Sequence, residues 1–297
     1  LEDVELDGLH VRIPPGVRPG ANRRKAGEDL RKGQIALEPG RRLRPQDIGV
    51  AATLGRSSLE VHRPLRVALL STGDELCEPG EALPAGGTYD ANRAILHGLL
   101  VGLGCAVTDL GILPDRAEAV ESALGEAAEG HDALITSGGA SRGEEDHVVR
   151  AAGRIGRLHF WQIAVKPGRP LAFGQLGDCA FLGLPGNPVA AVVCFLCFVR
   201  PVLLTLGGAV WPEPRRFTVP AAFTMRKKPG RREYLRARLV EETDGRLRAV
   251  KVEREGSGIL TSLAEADGLV EVAEDTTRVE PGDAVLFVPF SELGVVT

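Results

Sequence analysis

At 297 residues, with 43% hydrophobic side chains and a formal net charge of −4, the chain is long enough for about two domains with a sizeable core. That balance excludes a disordered chain and disfavours a general polyanion-binding surface, so no nucleic-acid partner is expected. The opening LEDVELDGLHVRIPPG has neither the basic start nor the apolar core of a signal peptide, and a cytoplasmic protein is the expectation.

In chain order, residues 1 to about 62 are short, Pro/Gly-punctuated and strand-like, with one small helix predicted from Pro45 to Leu54. The middle alternates. Strands are predicted at Arg66–Ser71, Ala106–Leu113, Ala133–Thr136, Leu158–Val165, Leu171–Phe173 and Ala180–Leu182. Helices are predicted at Asn92–Leu103, Arg116–Ala128, Glu144–Arg154 and from Pro188. Such alternation predicts a three-layer α/β domain with a mainly parallel sheet covered on both faces. From about Arg215 the texture changes to alternating strands with turns such as Thr243-Asp244-Gly245 and Glu280-Pro281-Gly282-Asp283, which predicts a small all-β domain. The domain expectation is therefore 1–62, 63–208 and 215–291. The longest apolar run, Val189 to Leu206, is interrupted by Arg200-Pro201 and reads as a core helix followed by a second segment, not as a membrane span. Cys194-Phe-Leu-Cys197 lies inside that run without a second pair or a nearby histidine, and reads as two buried thiols.

Ligands of parallel sheets sit at the carboxyl ends of strands, and the chemically suggestive loops fall there. After the first sheet strand, Ser71-Thr72-Gly73-Asp74-Glu75 brings hydroxyls and carboxylates that either bind a cation or cap backbone donors. Asp90 or Asn92 of Tyr89-Asp90-Ala91-Asn92 is a candidate N-cap, and Asp115 either caps the next helix or joins a carboxylate site. In Ser137-Gly138-Gly139-Ala140-Ser141-Arg142-Gly143-Glu144-Glu145-Asp146 a turn without side-chain bulk leads into a helix start, which suits an anion. Carboxylates beside an anion site suggest a phosphate-bearing ligand held with Mg²⁺, or acid/base chemistry; first-turn acids also simply complement the helix dipole. Lys166-Pro167-Gly168-Arg169-Pro170 places two cations on a rigid turn preorganised for an anion. Gly183-Leu184-Pro185-Gly186-Asn187-Pro188 enters a helix with Asn187 as expected N-cap, and its amides suit phosphate or a pterin ring. No G-x-x-x-x-G-K-[ST] and no post-strand G-x-G-x-x-G occurs, which disfavours a P-loop ATPase and a dinucleotide fold.

The ordered set STGDEL, YDANR, SGGASRGEED, KPGRP and GLPGNP closely resembles the molybdopterin molybdenumtransferase family, the MoeA and gephyrin E-domain group. The resemblance spans nearly the whole chain and begins partway through the family's N-terminal region. It implies a partial N-terminal β-rich domain, a molybdopterin-binding α/β domain and a C-terminal β domain. It further implies a homodimeric enzyme that inserts molybdenum from molybdate into adenylylated molybdopterin with release of AMP, using Mg²⁺ and acting beside other molybdenum cofactor biosynthesis proteins. By motif, Glu75, Asp115 and Asp146 match acidic active-site and metal positions, and Lys166 matches a ligand-binding lysine. Ser137, Gly138, Gly139 and Ser141 match the pterin-nucleotide loop. The remaining positions of the same loops, Thr72, Gly73, Asp74, Gly143, Pro167, Gly168, Arg169, Pro185, Gly186, Asn187 and Pro188, are expected to line the site. Gln162 stands where family members often carry lysine, which weakens anion binding there. Two other readings fit the loops: adenylyl transfer to molybdopterin, and a non-catalytic pterin-binding scaffold.

Overall fold

The computed structural model describes residues 4–13, 15–16, 18–21, 23–138, 147–211, 213–243, 245–254 and 256–295. The chain divides into two compact units, Leu1–Glu60 and Val61–Thr297. In the first, β1 (Glu5–Asp7) and β2 (His10–Arg12) form an antiparallel hairpin, and α1 (Pro45–Thr53) follows. Proline at the first position of α1 needs no intrahelical donor, and buried Asp47 at its third position accepts from the Arg44 amide at 2.9 Å.

The second unit begins with β3 (Arg66–Thr72), β4 (Leu76–Cys77), β5 (Thr88–Tyr89), α2 (Ala91–Leu103), β6 (Ala106–Leu113), α3 (Ala117–Gly130) and β7 (Ala133–Ser137). It continues through α4 (His147–Ile155), β8 (Arg157–Gln162), β9 (Val165–Lys166), β10 (Pro170–Leu176) and β11 (Cys179–Leu184) to α5 (Pro188–Cys194), a π-helical turn (Phe195–Val199) and α6 (Arg200–Leu206). The principal sheet runs β6-β3-β7-β11-β10-β8. Its first four strands pair in parallel, whereas β10 and β8 complete the sheet in antiparallel register. Central β7 is buried along its whole length and β3 from Val67 onward, as expected of parallel strands covered on both faces. Alternate residues serve separate cores. Val67, Leu69 and Ile135 pack with α2, α5 and α6, while Ala68, Leu70 and Leu134 pack with α3 and α4.

The C-terminal strands are β12 (Phe217–Pro220), β13 (Met225–Arg226), β14 (Arg232–Glu241), β15 (Leu247–Lys251), β16 (Gly268–Val272), β17 (Arg278–Val279) and β18 (Ala284–Pro289), with a single helical turn, α7 (Thr261–Ala264), before β16. The order β12-β18-β16-β14-β15 makes an antiparallel sheet with its own core around Phe223, Val270 and Phe287. Its other face is not independent. Tyr234, Leu269 and Val288 share one cluster with Phe195, Leu196 and Val199.

Two expectations are corrected. The strand expected over Leu158–Val165 is broken: β8 ends at Gln162, and Val165–Lys166 leaves the α/β sheet to pair in parallel with Arg232–Glu233 of β14. The apolar run after Pro188 is one continuous helix instead of two segments. Pro201 has no amide and its ring would strike the carbonyl four residues back, so the helix widens to a π turn in which the Arg200 amide bonds the Phe195 carbonyl. At 19 residues and a mean hydropathy of 2.4 the run is long and apolar enough to cross a membrane, but 56% of it is buried within the fold. The helix expected from Glu144 is seen from His147; residues 144–146 lie outside the described residues.

Asp132, just before β7, receives a bidentate pair from Arg63 (2.6 and 2.7 Å) and the Arg66 amide at 2.8 Å. These bonds, the Arg63 pair first, hold its carboxyl well below the ordinary carboxylate range. A depressed folded-state pKa contributes stability that is complete above the unfolded value of about 4 and is lost as pH falls toward the folded one. Asp132→Asn is therefore expected to flatten the acid limb of the stability–pH curve below about pH 4, read from denaturant midpoints across that range. An unchanged limb would remove this pair from the acid sensitivity.

Candidate functional site

Four strand ends lie side by side in the order β6, β3, β7, β11, so the loops that follow them form one edge. The loop after β3 offers exposed Asp74 and Glu75, and the loop after β6 offers half-buried Asp115. These two loops meet: the Asp115 amide donates to Asp74 Oδ1 at 3.4 Å. Asp115 does not cap α3, whose N-cap is Arg116 without a side-chain bond. Gly73, at φ 149°, leaves room for Glu75 to fold back; a Cβ there would stand 2.8 Å from Glu75 Oε2.

Gly138 gains a structural reason that the sequence did not suggest. At φ 84° its missing Cβ would lie 2.6 Å from the Thr72 carbonyl oxygen, and its amide bonds the Leu184 carbonyl at 3.2 Å. The glycine packs the β3, β7 and β11 strand ends together. Thr72 and Ser137 are themselves buried. Gly139, Ser141, Gly143 and Asp146 lie outside the described residues. Among the described residues no three His, Cys, Asp or Glu side chains gather at one point to hold a metal ion. The donor chemistry of Asp74, Glu75 and Asp115, hard carboxylate oxygens on adjoining loops, suits Mg²⁺.

The segment Lys166–Pro170 belongs to the same edge. In the antiparallel register Ala172 faces Gly183, which puts Pro170 beside the end of β11. This turn lines a cavity of about 620 Å³ between the α/β sheet and the C-terminal strands. Pro167, Gly168, Pro185 and Asn187 contribute to its wall from one side, and Thr224, Tyr234 and Ser257 from the other. Among the described residues six cationic side chains line it, Lys166, Arg169, Arg226, Arg231, Arg236 and Lys251, against one carboxylate, Glu233. Glu233 is buried and accepts from Lys166 Nζ at 3.2 Å. Asn187 occupies the N-cap position of α5, before Pro188, without a side-chain bond to the helix, so its expected capping bond is absent and its side chain borders the cavity. Gln162, on β8, is not among the residues lining this cavity.

The turn is pinned from below. A Cβ on Gly168, at φ 107°, would lie 2.4 Å from Cys194 Sγ, and the Cys194 thiol donates to the Gly168 carbonyl at 3.3 Å. Burial pushes the Cys194 thiol far above its ordinary pKa and the Cys197 thiol up to about 12, so neither is an active nucleophile.

Residues that the sequence treated only as caps stand at the centre of the edge. Asp90 caps α2 through the Arg93 amide at 3.1 Å, but Asn92 turns away from the helix toward Ser137 and Gly186. The signal available in the sequence was three polar residues, Asp90, Asn92 and Arg93, opening an otherwise apolar helix.

Fold and edge define an α/β protein with a cavity at its strand ends, whose second, cationic wall is supplied by a β domain. Residues 68–205 match the family described as "Probable molybdopterin binding domain", residues 218–290 "MoeA C-terminal region (domain IV)" and residues 1–55 "MoeA N-terminal region (domain I and II)". The molybdopterin molybdenumtransferase of Haemophilus influenzae is 38% identical over 93% of this chain and 69% of that protein. Molybdopterin molybdenumtransferase 2 of Mycobacterium tuberculosis is 33% identical over 92% of this chain and 68% of that protein. The crystal structure of the molybdopterin biosynthesis MoeA protein from Pyrococcus horikoshii superposes with a TM-score of 0.78 at 26% identity, covering 97% of this chain and 70% of that one. The chain belongs to the molybdopterin molybdenumtransferase family, a family of transferases, and its role lies in molybdenum cofactor biosynthesis.

The Gly168 contact gives a direct test. Gly168→Ala is expected to destabilise the protein by about 1–3 kcal/mol, from a strained φ and the clash with Cys194. Adding Cys194→Ala relieves only the steric part, so a double-substitution cycle in thermal melts should show positive coupling. Strictly additive losses would mean that the two atoms do not press on each other.

Proposed function

We propose that this protein inserts molybdenum from molybdate into adenylylated molybdopterin and releases AMP. The observation that carries the reading is the separation of charge along one edge: carboxylates on the loops after β3 and β6, and beside the loop after β11 a cavity that, among the described residues, has six cations against one acid. An enzyme that joins an oxyanion to a phosphoanhydride substrate needs both kinds of site within reach of each other.

In this reading Lys166 and Arg169 bind the molybdate oxyanion on a turn braced by Pro167 and Pro170, so little side-chain or backbone freedom is lost on binding. The Ser137–Gly138 turn binds the pterin nucleotide together with Gly139 and Ser141, which the motif adds to it, and Pro185, Gly186 and Asn187 face it from the neighbouring strand end. Glu75, Asp115 and Asp146 are the residues that would hold Mg²⁺, and Thr72, Gly73 and Asp74 belong to the same loop as Glu75. When bound, the ion supplies charge neutralisation on phosphate oxygens as the anhydride bond to AMP breaks. The retained cationic turn and the C-terminal cavity wall favour this over adenylyl transfer, for which a second anion site has no evident use. The family resemblance further supports a homodimer in the cytoplasm, working beside other proteins of the same biosynthesis.

The test is incubation with adenylylated molybdopterin, Mg²⁺ and molybdate, following AMP. Release that depends on molybdate is the expected result. Formation of adenylylated product from ATP would point to the adenylyltransferase, and ligand binding without turnover to a scaffold. Lys166→Met is expected to raise KM for molybdate tenfold or more, about 1.4 kcal/mol of lost binding, and Asp146→Asn to abolish AMP release without lowering Tm. Unchanged kinetics in either variant would remove that residue from the mechanism.

A further inference from the structure

The start of α2 is built in a way its helix does not require. Asp90, Asn92 and Arg93 are 3%, 8% and 9% exposed, an unusual concentration of buried polar groups in one helical turn. Each reaches a different place. Asp90 fills the N-cap and accepts from Arg93 Nε at 3.1 Å. Arg93 donates onward to Asp109 on β6 at 2.6 Å and to Glu78 in the segment after β3. Asn92 sends both hydrogens of Nδ2 out of its own element, to Ser137 Oγ at 2.8 Å and to the Gly186 carbonyl at 2.7 Å. One helical turn is therefore tied to β6 and β7 themselves and to the segments that follow β3 and β11.

The two residues divide the work. Arg93 is an ionic anchor whose partners lie toward the outer strands. Asn92 joins the end of β7 to the turn after β11, where the two strand ends already meet through the Gly138 amide and the Leu184 carbonyl at 3.2 Å. Asn92 contributes nothing to capping, because Asp90 holds that position. Its Oδ1 is buried without a partner among the described residues, and so is Ser71 Oγ, which lies on the same face of the sheet as Ser137. Nature tolerates such unsatisfied atoms where geometry serves something other than stability.

We infer that Asn92 is a positioning residue: it sets the spacing between the Ser137–Gly138 turn and the Pro185–Gly186 turn, and through that spacing the affinity for the pterin nucleotide. This rests on the functional reading above for the identity of the ligand, but not for the role of the strut. Asn92→Ala removes both donors. Asn92→Asp keeps size and shape but turns a carboxylate toward the Gly186 carbonyl, so it should spread the two turns as much as Asn92→Ala or more.

The experiment compares wild type, Asn92→Ala and Asn92→Asp by titration with adenylylated molybdopterin, titration with molybdate alone, and hydrogen–deuterium exchange. Expected are a tenfold or greater rise in Kd for the pterin nucleotide and a molybdate Kd within twofold of wild type. Exchange should quicken at 137–138 and 186–187 while 96–103 stays protected. Pterin affinity within twofold of wild type in both variants would overturn the inference. So would a parallel loss of molybdate affinity with faster exchange throughout, which signals general damage. Should wild type bind no pterin nucleotide, the functional reading falls, and the exchange pattern alone decides: local loosening upholds the strut, and unchanged turns overturn it.

Discussion

The parallel pairing of Val165–Lys166 with Arg232–Glu233 is the constraint on which the rest of the site depends. Two residues of the α/β segment are hydrogen-bonded as a strand of the other sheet, and the Arg232 amide extends the contact to the Ala164 carbonyl at 3.0 Å. The register sets Lys166 directly opposite Glu233, so the ammonium reaches a buried carboxylate across the junction. Because that carboxylate is 5% exposed at its side chain and the lysine 58% exposed, the pair anchors one end while leaving the cation at the cavity. Around the junction, Tyr234, Leu269 and Val288 close against Phe195 and Val199, so apolar burial and backbone pairing fix the same geometry.

Two glycines of the strand-end turns are fixed by packing. Gly138 and Gly168 each lack a Cβ because protein atoms, the Thr72 carbonyl and the Cys194 sulfur, already fill the space a side chain would need. Tight packing beneath these turns holds the backbone and its flanking side chains in place, and preorganised groups lose less entropy on capturing a ligand than mobile ones. The buried hydrogen bonds of Asn92 and the ion pairs of Arg93 extend that rigidity sideways from strand to strand.

Much of the fold was legible locally. Ala106–Leu113 was read to the residue because Gly104 and Pro114 punctuate an apolar run, and the α2 helix was read to within one residue because Asp90 and Gly104 mark its ends. What escaped was non-local. Nothing in Val165–Lys166 announces a partner 67 residues later, so an apolar stretch was extended through it. Arg226, Arg231, Arg236 and Lys251 belong to no local motif, and only folding gathers them on one wall. Asn92 was hidden by a plausible alternative, since Asp and Asn two apart at a helix start both look like caps. Asp115 illustrates the reverse: a local cap was available to it, and its backbone amide met Asp74 instead.

The junction also orders events during synthesis. Residues 165–170 leave the ribosome well before residues 224–257, which carry the opposite wall of the cavity. A nascent chain that has completed the α/β sheet possesses its strand-end turns but neither the partner strand for Lys166 nor most of the cations around it. The strand-end turns are thus assembled before the cationic cavity, and a chain cut short between them would hold the one and lack most of the other.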